Sequence, residues 1–252
     1  MRAADDDSQE RVLRAYTVLS LLRPNWGGGL IVCCGLDEQG AALAMAANIA
    51  GAVCLSIEKR PEILKAALRS GSCDFIVNSV DEALRAMKNE IRKHLPISVG
   101  LQGDPLHVLE ELIGRGVQPE LLTDLSHICN GQTADRIKRQ ADAMQSLRRT
   151  GATLVDFNLG GATEGAIDAR AELGSYVFNR GWDLQSFSLE SAAVLKAFDA
   201  RTLSSPSEND PLRSRWLRAA SRILQRQRPL RRVLWTTPQE KQMLLAELPP
   251  IA

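Results

Sequence analysis

Short apolar runs alternate with amphipathic helical patterns along most of this chain, and this alternation limits the fold more than any other feature of the sequence. The runs cover residues 30–34, 52–57, 74–77, 97–101 and 153–157, and a further run leads into Thr123 and Asp124. Buried parallel strands have this continuous apolar character, and crossover helices connect them. The pattern therefore predicts an α/β fold in which helices cover both faces of a mostly parallel sheet.

Residues 97–129 are the stretch that we consider first for a functional site. A strand pattern ends near Gly103, a helical pattern follows over residues 105–113, and a second strand leads into Asp124. Because loops at the carboxyl ends of parallel strands face a ligand crevice, residues 102–104 and 124–129 are candidate ligand contacts. The alternative is that these loops only connect strands to helices and contact no ligand.

The first strand-helix-strand unit carries features of a dinucleotide site. Its turn contains Gly35 and Gly40, and its second strand ends at Glu58. Such a turn lets backbone approach a pyrophosphate, and the acid accepts hydrogen bonds from a ribose diol. The turn has two glycines rather than the three of G-x-G-x-x-G, and Asp37 and Glu38 stand where a pyrophosphate would lie. An ordinary turn with a solvated glutamate is the alternative interpretation.

The 31 basic and 30 acidic residues leave no whole-protein field that would point to nucleic acid or a membrane. Arginines are nevertheless concentrated in residues 212–232, where four recur at helical spacing: Arg215, Arg218, Arg222 and Arg226. Such a stripe is compatible with nucleic-acid binding. We favour a solvated helix face, opposed by inward-packing residues: Trp216, Leu217, Ile223 and Leu224.

The five cysteines show neither a CxxC pair nor zinc-ligand spacing, and most lie in apolar runs where cysteine packs as a small hydrophobe. They favour a reducing, cytoplasmic location, and no metal site is predicted. Asp124, His127 and Cys129 share one loop, so a thiolate activated by the imidazole is an enzymatic alternative. The N-terminus lacks the apolar core of a signal peptide, and no apolar segment is long enough to span a membrane.

The secondary-structure signal weakens after residue 162. We expect residues 174–182 to be irregular, residues 188–198 to be helical and residues 203–210 to form a linker. Helices at 211–225 and 238–248, with a strand at 231–235, then form a C-terminal, mainly helical extension. The predicted division is a tail and short helix at 1–26, a main domain at 27–202, and the linker with a C-terminal segment packed on that domain at 203–252.

Several motifs, in order along the chain, resemble the urocanase family, the urocanate hydratases of histidine breakdown. The family's Gly-Leu-Gly-Gly-Met-x-Gly-Ala-Gln turn aligns without a gap with residues 35–43, and a glutamate, here Glu58, ends the next strand. Residues 99–105 and 111–120 resemble its Ile-Gly-Leu-x-Gly-Asn-Ala and Glu-Leu-x-x-Arg-Gly-Val-x-Pro-Asp. Residues 123–130 stand where it has Thr-Asp-Gln-Thr-Ser-Ala-His-Asp. The resemblance is strongest up to Pro119.

This resemblance implies a Rossmann-like NAD-binding domain. In urocanases the nicotinamide ring is an electrophile that forms an adduct with the substrate imidazole, and no net hydride is exchanged. The residues implied for cofactor binding are Gly35, Glu38, Gln39, Gly40, Glu58, Asp104 and Ser126. No catalytic residue is assigned.

Other positions depart from the family pattern. Asp104-Pro105 replaces Asn-Ala, which removes an amide donor and a backbone N–H. No cysteine follows Cys129 to match the family's catalytic-domain cysteine. We therefore expect a shortened, divergent relative that binds NAD, another nucleotide or an imidazole metabolite and lacks the complete hydratase machinery, with a protein partner or as a homo-oligomer. The alternative is an active urocanate hydratase-type hydro-lyase that a partner completes.

Overall fold

The strand β1 (Leu30–Cys34) lies at the centre of the main sheet, and all of its residues are buried. It pairs in parallel with β2 (Val53–Glu58) on one side and with β5 (Leu121–Asp124) on the other. These contacts come from a computed structural model that describes residues 8–126, 133–158, 164–204, 210–224 and 230–246. A strand with neighbours on both edges and helices on both faces has no polar side, which explains its unbroken apolar sequence.

The remaining elements follow the predicted alternation through the main sheet. The other strands are β3 (Phe75–Val77), β4 (Ile97–Gln102), β6 (Thr153–Asp156), β7 (Ile167–Asp168), β8 (Asp183–Ser188) and β9 (Arg231–Thr236). The helices are α1 (Ser8–Leu22), α2 (Glu38–Ala50), α3 (Pro61–Ser70), α4 (Val80–Lys93), α5 (Pro105–Gly114), α6 (Ala134–Arg149), α7 (Ala169–Asn179), α8 (Ala192–Ser204), α9 (Pro211–Ile223) and α10 (Pro238–Ala246).

The main sheet has seven parallel strands in the order β3-β4-β2-β1-β5-β6-β7. The chain builds one half of the sheet outward from β1, and then crosses to the other side of β1 to form β5. The point where strand order reverses therefore lies between β1 and β5. In open α/β sheets, a crevice forms outside the carboxyl ends of the strands at such a point.

Side chains alternate between two cores along β1. Ile31 and Cys33 belong to the core beneath α1, α2 and α3, whereas Val32 and Cys34 belong to the core beneath α4, α5 and α6. The predicted Rossmann-like sheet with helices on both faces is thus confirmed. The four cysteines among the described residues are buried free thiols, as their apolar surroundings predict: Cys33, Cys34, Cys54 and Cys73.

The N-terminal helix α1 joins the main sheet to the C-terminal extension. Its outer side meets β9, where Gln9 exchanges hydrogen bonds with the Arg231 carbonyl oxygen (3.3 Å) and the Val233 N–H (2.7 Å). Farther along, the Tyr16 and Trp216 rings stack with centroids 5.9 Å apart. These contacts bury α1 on both sides, so it forms an interior layer.

For the region after residue 162, the expected irregular segment is wrong, and the expected helix is confirmed with a later start. Residues 174–182, predicted to be irregular, lie largely in α7, which buries only Ala169 and Leu173 and therefore carries no apolar stripe. The helix predicted from residue 188 begins at Ala192, because Ser188 closes β8 against β9 in a two-stranded antiparallel sheet. The predicted linker at 203–210 overlaps the end of α8, and residues 205–209 lie outside the described residues.

The arginine-rich C-terminal segment supplies buried ion pairs. Arg232 is 1% exposed and donates to both carboxylate oxygens of Asp199, at 2.8 and 2.7 Å. Arg213 pairs with Glu240 at 3.3 Å. Of the predicted stripe, Arg215 donates to the Ala50 carbonyl oxygen at 3.1 Å, and Arg226 lies outside the described residues. Among the described helices, none has the length and apolar character needed to cross a membrane.

We expect Arg232→Ala to lower the free energy of unfolding by about 3–5 kcal/mol, because it leaves the Asp199 carboxylate buried without its counter-charge. Arg218→Ala is the matched control, since Arg218 is exposed on α9 and its removal should change stability by less than about 0.5 kcal/mol. Urea denaturation of the two variants measures both values. Equal losses would show that the buried pair contributes no more than an exposed arginine.

Candidate functional site

Four loops meet at the carboxyl edge of the main sheet, beside the point where strand order reverses. They follow β1, β2, β4 and β5. Of the predicted cofactor-binding residues, Glu58 is the last residue of β2, and the others lie in these loops or at the start of the helices that follow them. The fold therefore gathers residues that are far apart in sequence along one edge.

The turn after β1 is locked between the loop after β5 and the start of α2. Gly35 has φ +96°, and a Cβ there would lie 2.6 Å from the backbone of Leu125 and Ser126. A Cβ on Gly40 would lie 2.3 Å from the Gly35 carbonyl oxygen. Both positions therefore require glycine, the first for conformation and contact and the second for the close packing of helix on turn.

Asp37 caps the helix that follows this turn. Its Oδ1 accepts hydrogen bonds from the N–H groups of Gln39 (3.1 Å) and Gly40 (3.4 Å). These are N–H groups of the first turn of α2, the donors that a helix N-terminus presents to an anion. The neighbouring Glu38 is exposed and forms an ion pair with Arg11 on α1 at 3.1 Å.

Glu58, the predicted ribose-binding acid, is 5% exposed at the carboxyl end of β2. Its Oε2 accepts from the Leu36 N–H in the glycine turn at 3.2 Å. Arg60 folds back on the same carboxylate, with Nε 2.9 Å from Oε1 and Nη2 3.1 Å from Oε2. Burial alone would raise the pKa of Glu58, but the hydrogen bonds from Arg60 and Leu36 hold it below its ordinary value.

Asp104 is held by two helices. It caps α5 through the His107 N–H at 3.4 Å and forms an ion pair with Arg136 in the first turn of α6. Burial tends to raise the pKa of Asp104, and the contacts with Arg136 and His107 lower it below its usual range. The preceding Gly103 donates its N–H to the Glu58 carbonyl oxygen at 3.1 Å, which ties this loop to β2.

Ser126 belongs to a polar cluster around Asp124. Asp124 Oδ1 accepts from the Ser126 hydroxyl (2.5 Å) and N–H (2.9 Å), and Oδ2 accepts from Gln140 Nε2 (2.6 Å). Asn158, after β6, donates to the Asp124 carbonyl oxygen at 2.7 Å. Burial raises the pKa of Asp124, and these hydrogen bonds offset only part of that effect. A carboxyl group with a raised pKa in a crevice is a candidate ligand contact.

The turn after β1 thus contacts the backbone of Ser126 through Gly35 and donates the Leu36 N–H to the Glu58 carboxylate. Glu38 and Asp104 pair with arginines. The proposed pairing of His127 with Cys129 lies outside the described residues. Sequence reasoning missed the side chains that engage the carboxylates: Arg60, Arg136 and Gln140. Only Arg60 left a local signal, a cation two positions after the acid.

Comparison with known proteins identifies a family. The model of the urocanase Rossmann-like domain matches residues 15–193. A short chain alcohol dehydrogenase from E. coli CFT073, solved with NADH, is 11% identical, with a TM-score of 0.33 over 67% of this chain and 40% of that one. The plantazolicin methyltransferase BpumL, solved with SAH, is 11% identical, with a TM-score of 0.33 over 97% and 82%. These two similarities are too distant to indicate a ligand.

Gly35→Ala should destabilise the protein more than Gly71→Ala does. Both glycines have positive φ, +96° and +81°, but only Gly35 has atoms within 4 Å of the added Cβ. The left-handed conformation costs an alanine about 1–2 kcal/mol at either position. The contact with the loop after β5 should add about 1–3 kcal/mol at Gly35. Chemical denaturation measures the difference, and equal losses would mean that the turn is not locked as described.

Proposed function

This chain belongs to the urocanase Rossmann-like domain family, and from that membership we propose that it binds a nucleotide-class ligand at the carboxyl edge of its main sheet. We propose further that it lacks the complete urocanate hydratase machinery and acts as a binding protein. The candidate ligands are NAD, another nucleotide, or an imidazole metabolite of the kind that the family handles.

The position of Glu58 carries this proposal. It lies at the end of the strand next to β1 and is hydrogen-bonded to the glycine turn, at 3.2 Å from the Leu36 N–H. In dinucleotide-binding folds an acid at this position accepts the ribose hydroxyls. Its lowered pKa keeps the carboxylate ionised, as an acceptor of two hydroxyl hydrogen bonds must be.

Arg60 covers this carboxylate, so ribose binding requires an exchange of partners. The Arg60 side chain is 45% exposed and Glu58 retains the Leu36 N–H when the guanidinium turns outward. The Glu58 side chain is only 5% exposed, so the two ribose hydroxyls must replace the hydrogen bonds that the guanidinium gives to the carboxylate. Ligand binding at Glu58 therefore needs a side-chain rotation and no movement of the sheet.

The family implies NAD, and the residues fit one half of that cofactor. Glu58 suits the adenosine ribose, and Gly35 and Gly40 preserve the backbone turn on which a diphosphate would rest. Asp37 occupies the N–H groups of α2 that would bind the diphosphate oxygens. The adenosine part fits and the diphosphate part does not, so no reaction step is assigned through the nicotinamide ring.

The loop residues that depart from the family support the proposal that the hydratase machinery is incomplete. Asp104, where the family has asparagine, is an acceptor engaged by Arg136, and Ser126 donates its hydroxyl to Asp124. Asp104 has no proton to donate, and the Ser126 hydroxyl already donates to Asp124, so neither side chain offers a ligand a free donor. An active hydro-lyase completed by a partner or a second copy is the alternative function.

Our proposed division of the chain remains residues 1–26, 27–202 and 203–252. The cytoplasm remains the proposed location, because its reducing conditions suit free thiols.

Isothermal titration with NAD, NADP, ATP and adenosine tests the binding proposal. We expect at least one to bind, and we expect Glu58→Gln to weaken that ligand about ten- to a hundredfold, because a hydrogen bond to a charged acceptor contributes about 1.5–3 kcal/mol. Glu62→Gln is the control, since Glu62 is exposed in the first turn of α3. No heat and no thermal stabilisation with any of the four at millimolar concentration would overturn the proposal.

The loss of urocanate absorbance, followed with the purified protein and saturating NAD, tests the alternative. We expect no turnover, because the family route needs NAD held with its diphosphate on the turn that Asp37 occupies. The control is an active urocanase under the same conditions. Turnover by this chain alone would replace the binding function with the hydratase function.

A further inference from the structure

We infer that the crevice between β1 and β5 selects a nucleoside that carries no diphosphate, because the Asp37 carboxylate takes the place of the phosphate on α2. This inference rests on the proposed nucleotide-class function and narrows its ligand to an uncharged or cationic nucleoside. The observation behind it is that the Asp37 side chain accepts hydrogen bonds from the N–H groups that a dinucleotide would use.

Four backbone donors along the turn are already engaged. The Gly35 N–H donates to the Ile57 carbonyl oxygen at 2.7 Å, and the Leu36 N–H donates to Glu58 at 3.2 Å. The N–H groups of Gln39 and Gly40 donate to Asp37 Oδ1 at 3.1 and 3.4 Å. A diphosphate binds such a turn by accepting these hydrogen bonds, so it would have to displace two carboxylates of the protein.

The turn is packed closely on both sides. A Cβ on Gly40 would lie only 2.3 Å from the Gly35 carbonyl oxygen, which shows that α2 already packs on the turn at backbone distance. On its other side, Gly35 is in contact with the backbone of Leu125 and Ser126. Only rotation of the Asp37 side chain would release the N–H groups, and this rotation would remove the N-terminal cap of α2.

The charge of the crevice also disfavours the binding of a diphosphate. Carboxylates follow each of its strands: Asp37, Glu58, Asp104, Asp124 and Asp156. Arg60 and Arg136 neutralise two of them, Glu58 and Asp104. Burial is the main cause of the raised pKa of Asp124, and the Asp156 carboxylate raises it as well. An additional dianion would be repelled, whereas a neutral or cationic nucleoside would not.

Calorimetric titration with adenosine, ADP and NAD tests the inference, since ADP and NAD add a diphosphate to the same nucleoside. We expect wild-type protein to bind adenosine at least as tightly as ADP. Asp37→Gly restores a glycine at the third position of the turn and should strengthen ADP and NAD binding at least tenfold while changing adenosine binding less than threefold. Glu62→Gln, which removes an exposed carboxylate from α3, should leave the order of affinities unchanged.

Asp37→Ser keeps a helix cap and removes the charge, so it serves if the glycine variant does not fold. It should shift the ADP-to-adenosine affinity ratio in the same direction by a smaller factor. Wild-type protein that binds ADP or NAD tenfold more tightly than adenosine would overturn the inference and leave the proposed function intact. Binding of ADP only by the Asp37 variants, with no ligand bound by wild type, would overturn the proposed function and the inference together, because wild type would then select no nucleoside. No binding by any of these proteins would overturn both.

Discussion

The contact between the turn after β1 and the first residues of α2 is the constraint on which the carboxyl edge of the sheet depends. There the Gly35 carbonyl oxygen approaches within 2.3 Å of the position that a Cβ of Gly40 would take. This approach places the helix N-terminus directly above the end of the central strand. It also directs the Leu36 N–H at Glu58 and the helix N–H groups at Asp37. The glycines, the acid and the cap are therefore parts of one backbone arrangement.

At the same edge the backbone arrangement of the family is retained, but the carboxylates are hydrogen-bonded to other side chains of the protein. Glu58 is bound by Arg60, Asp104 by Arg136, and Asp124 by Ser126 and Gln140. A carboxylate with internal donors stabilises the fold, and a ligand that binds it must replace those donors. Selectivity in such a crevice is thus decided by how easily each internal partner is exchanged. Arg60 can turn into solvent, whereas Asp37 can leave its position only at the cost of the helix cap.

The C-terminal extension illustrates the other use of charge in this chain. Arg218 and Arg222 of the predicted stripe are exposed on α9, as a solvated helix face requires, whereas Arg215 donates to a carbonyl oxygen at the end of α2. Arg232, outside the stripe, is buried in a bidentate pair with Asp199. The extension also places Trp216 against Tyr16 of α1. Charged and aromatic residues together fasten the C-terminal layer to the N-terminal helix. The net charge of the chain gives no sign of this arrangement.

The sequence by itself determined six of the seven strands of the main sheet, all but β7, together with the family and the positions of the glycines and of Glu58. These features were predictable because a strand buried on both faces must be apolar over its length, and because a close backbone approach admits only glycine. It did not determine β8, whose residues are mostly polar and which exists only because β9 pairs with it. Only the tertiary structure decided which donor each carboxylate takes. Arg136 reaches Asp104, and Gln140 reaches Asp124, from a separate helix, and a contact between elements leaves no local pattern in the sequence.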